Sequence, residues 1–177
     1  PGAALRDEEA LVNENALVLK GIRKAFAGHV AVADLSLEVP RNSIFGLLGS
    51  GQTNLTRCIF GAERFDSGGI KVYGEVKNIR RPQDGKNAGI GFVPIDRKVR
   101  GLVLGMSVRK NLTLSNWANL SLLSFFQGFK ERQHTKTWID ALGIRMAGGM
   151  DIPVRFLSGG NQQKVVFARS LCRNPEV

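Results

Sequence analysis

The chain has 177 residues, 43% of them hydrophobic and 23% charged, with a formal net charge of +10. That is length for one sizeable core, or one domain with a small subdomain, and the composition is ordinary for a globular protein in water. No apolar run reaches the ~18 residues of a membrane span, the acidic N-terminus lacks the basic-then-apolar order of a signal peptide, and two cysteines, Cys58 and Cys172, are too few for a disulfide framework, which makes a reduced cytosolic compartment the default.

Residues 1–15 read as a leader or linker. From Ala16 to Phe26 apolar and polar residues alternate, which suits a half-buried strand. His29 to Pro40 reads as one or two further strands, with a hairpin around Ala27-Gly28-His29. Ile44 to Leu48 is a short apolar run entering glycines, expected as a buried strand that feeds a loop. A helix is expected from Thr53 to Phe60, stopped by Gly61. Asp66-Ser67-Gly68-Gly69 is a turn signal, and Ile70 to Gly74 a strand with a turn at its end. Gly91 to Pro94 reads as a strand ending at a loop. From Ser107 to about Gly143 the spacing is helical, with Val108, Leu112 and Leu114 on one face and Trp138, Ile139 and Leu142 on another. The last helix is expected from near Asn161 to about Arg173, with Pro175 beyond it.

Basic residues such as Arg23, Lys24, Arg80, Arg81, Arg109 and Lys110 are scattered, no basic block is interleaved with aromatics, and there is a single Tyr. This charge reads as a solvated surface near phosphate ligands or anionic lipid rather than as a nucleic-acid interface. His29 and His134 stand outside any motif spacing and read as surface residues. No Cys/His cluster suggests a structural metal.

Two stretches carry chemistry. Gly46-Leu47-Leu48-Gly49-Ser50-Gly51-Gln52-Thr53 has the frame of a phosphate-binding loop between a strand and a helix. Its glycines Gly46, Gly49 and Gly51, with Ser50, let backbone N–H groups wrap phosphates, and Thr53 is placed to meet Mg²⁺. The lysine of that frame is absent. Gln52 stands in its place and brings a neutral donor without charge, which marks the loop as a weakened nucleotide site. In the second stretch, Leu157-Ser158-Gly159-Gly160-Asn161-Gln162-Gln163-Lys164, a Ser-Gly-Gly turn runs into helix formers. Ser158 is a candidate helix cap, and the free N–H groups at the helix start form a candidate anion site.

This octet resembles the signature motif of ABC-type ATPases, with an Asn-Gln-Gln-Lys ending similar to that of monosaccharide importers. The stretch Gly46–Ile70 that contains this loop, the run Gly89–Leu114 with Pro94-Ile95-Asp96-Arg97-Lys98, and Ala168–Val177 extend the likeness over roughly Ala16 to Val177. The chain resembles the second cassette of tandem ribose/galactose-type importers. The resemblance implies an α/β fold, a P-loop ATPase core with an N-terminal antiparallel β-subdomain and a helical signature subdomain at about 105–160. It also implies ATP and Mg²⁺ as cofactors, a second ABC cassette, transmembrane permease subunits and indirectly a sugar-binding protein as partners, with no nucleic acid, at the cytoplasmic face of the inner membrane. Leu157, Ser158, Gly159, Gly160 and Gln162 would complete the ATP site of a partner cassette. Ile95, Asp96 and Arg97 would form the loop that senses the γ-phosphate and contacts the permease, with Ile95 in place of the family's Glu. Phe26 is the candidate for stacking on adenine, or else a packing residue of a small sheet.

The family's next residues after Val177 would be an apolar strand ending in Asp-Glu. Without that segment, 16–177 is expected to be a partial cassette, low in stability and unable to assemble a hydrolytic site alone. The competing readings are a cassette of the nucleic-acid-associated ABC proteins and an inactive fragment.

Overall fold

Ala27 and Gly28 both adopt positive φ, 44° and 87°, the conformation that a tight I′ hairpin turn requires. They join β1 (Asn15–Phe26) to β2 (His29–Pro40) as one long antiparallel hairpin. The computed structural model describes residues 15–46, 51–115, 121, 122, 125, 126 and 128–177. Within these the chain divides into two compact units, Pro1–Gly91 with Glu176–Val177, and Phe92–Pro175.

In the first unit, helix α1 (Gln52–Phe60) is followed by β3 (Ser67–Val72), β4 (Glu75–Lys77) and a short α2 (Pro82–Asn87). The strands form one antiparallel sheet in the order β2-β1-β3-β4. Its core joins Leu17, Leu19 and Ile22 of β1 to Ile70 and Val72 of β3, and to Leu55 of α1, Ile79 and Ile90. The start of β1 departs from alternation. Ala16, Leu17, Val18 and Leu19 are all buried, so both faces of the strand are covered there.

Several expectations are corrected. Ile44 is fully exposed and Phe45 half-exposed. Residues 43–46 form no strand, because no strand among the described residues pairs with them. The Asp66–Gly69 cluster is not a turn throughout, since Ser67, Gly68 and Gly69 already belong to β3. Its glycines serve a close approach: a Cβ on Gly68 would lie 2.5 Å from the Gly21 carbonyl oxygen of β1. The Asp66 carboxylate accepts from the Ala25 N–H at 2.7 Å. Gly91–Pro94 is likewise not a strand. Instead, Val177 N–H donates to the Gly89 carbonyl and Gly91 N–H to the Val177 carbonyl, the pattern of a parallel pair centred on Ile90.

The second unit begins with a π-helical turn, Arg97–Gly101, and continues through α3 (Val108–Thr113), the paired strands β5 (Ser121–Leu122) and β6 (Phe125–Phe126), α4 (Gly128–Leu142), a 3-10 turn Val154–Phe156 and α5 (Gly159–Leu171). The helical region expected from Ser107 to about Gly143 is thus interrupted by the antiparallel pair β5–β6. Val108 and Leu112 of α3, Ile144, Val154, Leu157, and Val165 and Val166 of α5 close its core. Cys58 and Cys172 are both buried, and neither is in a disulfide. His29 is exposed as expected, and His134 is half-buried, its Nδ1 covered and with no partner among the described residues. No helix among the described residues is long and apolar enough to cross a membrane.

Candidate functional site

The phosphate-loop residues fall in the first unit. Gly51 caps α1 in a left-handed conformation, φ 91°, and its carbonyl accepts from Leu55 N–H at 2.9 Å. A Cβ there would stand 2.3 Å from the Ala31 carbonyl oxygen of β2, so both φ and space require glycine. Gln52 opens the helix and Thr53 follows, exposed in the first turn. Gly46 is exposed. Gly49 and Ser50 lie outside the described residues, as do residues 1–14 of the expected leader, whose last residue, Asn15, instead begins β1.

Phe26 sits at the end of β1, 39% exposed, with the Lys24 ammonium 4.7 Å from its ring centroid. It pairs with His29 of β2, two residues before the Ala31 that Gly51 packs against. The aromatic candidate and the phosphate-loop helix therefore share one end of the hairpin.

These residues suit a nucleotide only in part. The first-turn amides of α1 have no intrahelical acceptor and can meet phosphate, and Thr53 offers one hard oxygen to a magnesium ion. Gln52 supplies no charge. Among the described residues no group of His, Cys, Asp or Glu side chains could hold a metal ion by itself, so a cation here would depend on the phosphates that accompany it.

The signature octet lies in the second unit, and Ser158, Asn161, Gln162 and Lys164 each make defined hydrogen bonds. Ser158 caps α5: its Oγ accepts from the Asn161 N–H at 3.4 Å and from Asn161 Nδ2 at 3.0 Å. Asn161 Oδ1 in turn accepts from the Arg145 N–H at 2.9 Å. Lys164 Nζ donates to the Gly143 carbonyl just past α4 at 2.9 Å, where a cation also complements the helix dipole. The helix thus starts at Gly159, two residues before the expected Asn161, and ends at Leu171. Ser158, Gly159 and Gly160 are exposed. The Gly159 and Gly160 amides are first-turn groups without intrahelical partners, and nothing stands within 4 Å of a Cβ placed on Gly160.

Leu157 and Gln162 depart from the expected surface. Leu157 is a core residue. Gln162 is 6% exposed, and its Nε2 donates to the Leu157 and Val154 carbonyls at 3.1 and 3.4 Å. Both support the turn from beneath, joined by the bond from Gln162 Nε2 to the Leu157 carbonyl.

Ile95 is 77% exposed. Next to it, Asp96 accepts from the Lys98 and Val99 N–H groups at 3.0 and 3.1 Å and so builds the π-helical turn. Arg97 Nε donates to Gln162 Oε1 at 3.5 Å. Spacing alone gave no signal for this last contact, which joins residues 65 positions apart.

A family model described as "ABC transporter" matches residues 32–177. Ribose import ATP-binding protein RbsA of Geobacillus kaustophilus is 46% identical over 134 residues, covering 76% of this chain and 27% of that protein. The protein of the same name from Chromobacterium violaceum is 40% identical over 149 residues, covering 82% of this chain and 30% of the relative. The chain therefore spans less than a third of the length of these two relatives. Among solved structures, cbiO1 from Clostridium perfringens, part of the ABC transporter complex cbiONQ, superposes with a TM-score of 0.70 at 18% identity, over 92% of this chain and 63% of that one. That likeness speaks for the fold.

Proposed function

The chain belongs to the ABC transporter family, and we propose that it serves as ATP-binding machinery of a monosaccharide importer, its signature turn completing an ATP site held by the phosphate loop of a partner cassette. The observation that carries this reading is the Ser158-capped start of α5, with Gly159 and Gly160 exposed and open space at Gly160. Backbone N–H groups at a helix N-terminus suit the γ-phosphate of a nucleotide presented from outside. The names of the relatives point to ribose as the cargo class.

In this reading residues 16–177 are part of one cassette, with residues about 105–160 as its helical subdomain. Its partners are a second cassette, permease subunits and, through them, a sugar-binding protein, at the cytoplasmic face of the membrane. ATP hydrolysis is the activity of the assembled pair of cassettes. Mg²⁺ bound with ATP would neutralise phosphate charge, and Thr53 is the residue to hold it here. Phe26 gives adenine an exposed ring to stack on, Gly51 and Thr53 meet phosphate at the start of α1, and Ser158–Gly160 do so in trans. Gln52 makes this cassette's own phosphate loop the weaker of the two sites.

The test is Ser158→Arg in the full-length protein. The bulky cation is expected to abolish ATP turnover while nucleotide binding at the partner's phosphate loop persists. Unchanged turnover would sink the reading.

A further inference from the structure

Resting on that reading, we propose that Lys24 is a positioning residue for the nucleotide base: its ammonium takes one face of the Phe26 ring and so presents the other face to adenine. Lys24 and Phe26 stand at i and i+2 on β1, on the same side of the strand. Lys24 Nζ lies over the ring, 4.7 Å from its centroid, inside the shell of about 4.5–7 Å in which a second ring would stack. A base is thereby kept off that face, and the exposure that Phe26 retains allows stacking from one side only. The cation also draws π-electron density toward itself. That lessens the repulsion between the far face of the ring and the electron-rich face of a purine.

The ammonium is itself held in place. The Lys24 side chain is 13% exposed, and its Nζ stands 3.5 Å from Asp66 Oδ1. The other oxygen of Asp66 accepts from the Ala25 N–H at 2.7 Å, and the Asp66 N–H donates to the Arg23 carbonyl at 2.8 Å. Asp66 is thus tied to β1 on both sides of Lys24, and its carboxylate cannot swing away without breaking a short bond. The Ala25 N–H holds the Asp66 carboxyl below its ordinary value, so the counter-charge is present at neutral pH. Because that charge already occupies Lys24, the ammonium is a support for the ring and not the phosphate cation that Gln52 fails to supply. The same end of the hairpin is registered against the phosphate-loop helix. Pairing slips by one residue between Lys24–Val32 and Ala25–Val30, which leaves Ala31 as the extra residue of a bulge, and the Ala31 carbonyl is what Gly51 packs against. A ring fixed at Phe26 therefore stands in a fixed relation to the amides that open α1, and base and phosphate are met together without further ordering.

The experiment uses the full-length protein with azido-ATP as a photoprobe. Mass spectrometry locates the label on the β1–β2 hairpin, so that this cassette is read apart from its partner. Competition by Mg-ATP and by Mg-tripolyphosphate, which has no base, gives an affinity for each. Lys24→Met keeps the apolar stem and removes the charge. It is expected to weaken ATP about two- to fivefold, the range of an exposed cation–π contact, and to leave tripolyphosphate unchanged. Lys24→Arg keeps a cation over the ring and should stay within about twofold of the native protein. Asp66→Asn removes the anchoring charge and should reproduce part of the loss. In a Phe26→Leu background Lys24→Met should cost nothing further, because the two residues act as a unit. The role of Lys24 is overturned if Lys24→Met leaves ATP unchanged. It is equally overturned if tripolyphosphate weakens as much as ATP, the mark of a phosphate contact or a disturbed fold. Phe26→Leu separates the two levels: if it leaves ATP affinity intact, or if the native hairpin takes no label, the stacking reading fails. If Phe26→Leu weakens ATP and Lys24→Met does not, only the role of Lys24 fails.

Discussion

Arg109 of α3 pairs with Glu131 of α4, a carboxylate only 1% exposed. The same guanidinium also binds Asp151, Nε to Oδ1 at 2.8 Å, and Thr113 Oγ1 donates to the other oxygen of Glu131 at 2.9 Å. Arg132 adds a second cation to Asp151 at 3.0 Å. The hydrogen bond from Arg109 holds the Asp151 carboxyl below its ordinary value, against the opposing effect of burial. Removing one partner strands a buried charge. Arg109→Ala is therefore expected to cost about 3–5 kcal/mol in urea unfolding, and the double replacement Arg109→Met with Glu131→Leu markedly less. A loss below about 1 kcal/mol for Arg109→Ala would show that Glu131 finds other solvation.

Burial holds the His134 imidazole below its ordinary value of 6.5. Above that value the folded and unfolded chains both carry it neutral, and it contributes nothing to pH dependence. As the pH falls through 6.5 the unfolded chain takes up a proton that the folded one resists, so stability declines toward the lower, folded value. His134→Gln should flatten this acid-side decline. Thermal unfolding followed stepwise from neutral to mildly acidic pH checks it, and parallel curves for the two proteins would contradict the assignment.

Gln52→Lys restores a charge at the start of α1. A charge-assisted hydrogen bond to phosphate is worth roughly 1.5–3 kcal/mol, so Mg-ATP should bind about 10- to 150-fold more tightly. Titration of the two proteins measures the difference directly. Equal affinities, or submicromolar binding already with Gln52, would mean that the backbone amides suffice.

The parts of this molecule that were legible in the sequence are those governed by local chemistry. Ala27-Gly28 gave the hairpin, Gly61 the end of α1, and Ser158 the cap of α5, since each follows from the φ or hydrogen bond that one residue supplies. Ile44-Phe45 was misread because apolar content makes a strand only where a neighbouring strand receives it. Helix α2 was missed although Pro82 at its first position and Asp84, which accepts from the Arg80 and Arg81 N–H groups, are start signals. Six residues with little apolar content give no periodicity to notice. Of the site, the Ser158–Gly160 cap followed from residue type. The inward turn of Gln162 did not, because it depends on the Val154 and Leu157 carbonyls and on Arg97, which only folding brings beside it.

Gly51 and Gly160 give the sharpest separation of folding from function. At Gly51 an added Cβ meets the Ala31 backbone at 2.3 Å and φ is 91°. Gly51→Ala should therefore destabilise the fold by more than the ~1–2 kcal/mol of left-handed strain alone. At Gly160 a Cβ meets nothing within 4 Å and the residue is helical, so Gly160→Ala should leave stability unchanged or raise it by about 0.5–1 kcal/mol. Its methyl group would nonetheless occupy the space through which a partner's phosphate approaches. Loss of one hydrogen bond to a charged group, roughly 1.5–3 kcal/mol, predicts ATP turnover of the full-length protein about 10- to 150-fold lower. Unfolding and turnover measured on the same preparations decide the matter: Gly160→Ala that is stable and fully active would mean that no phosphate reaches the start of α5.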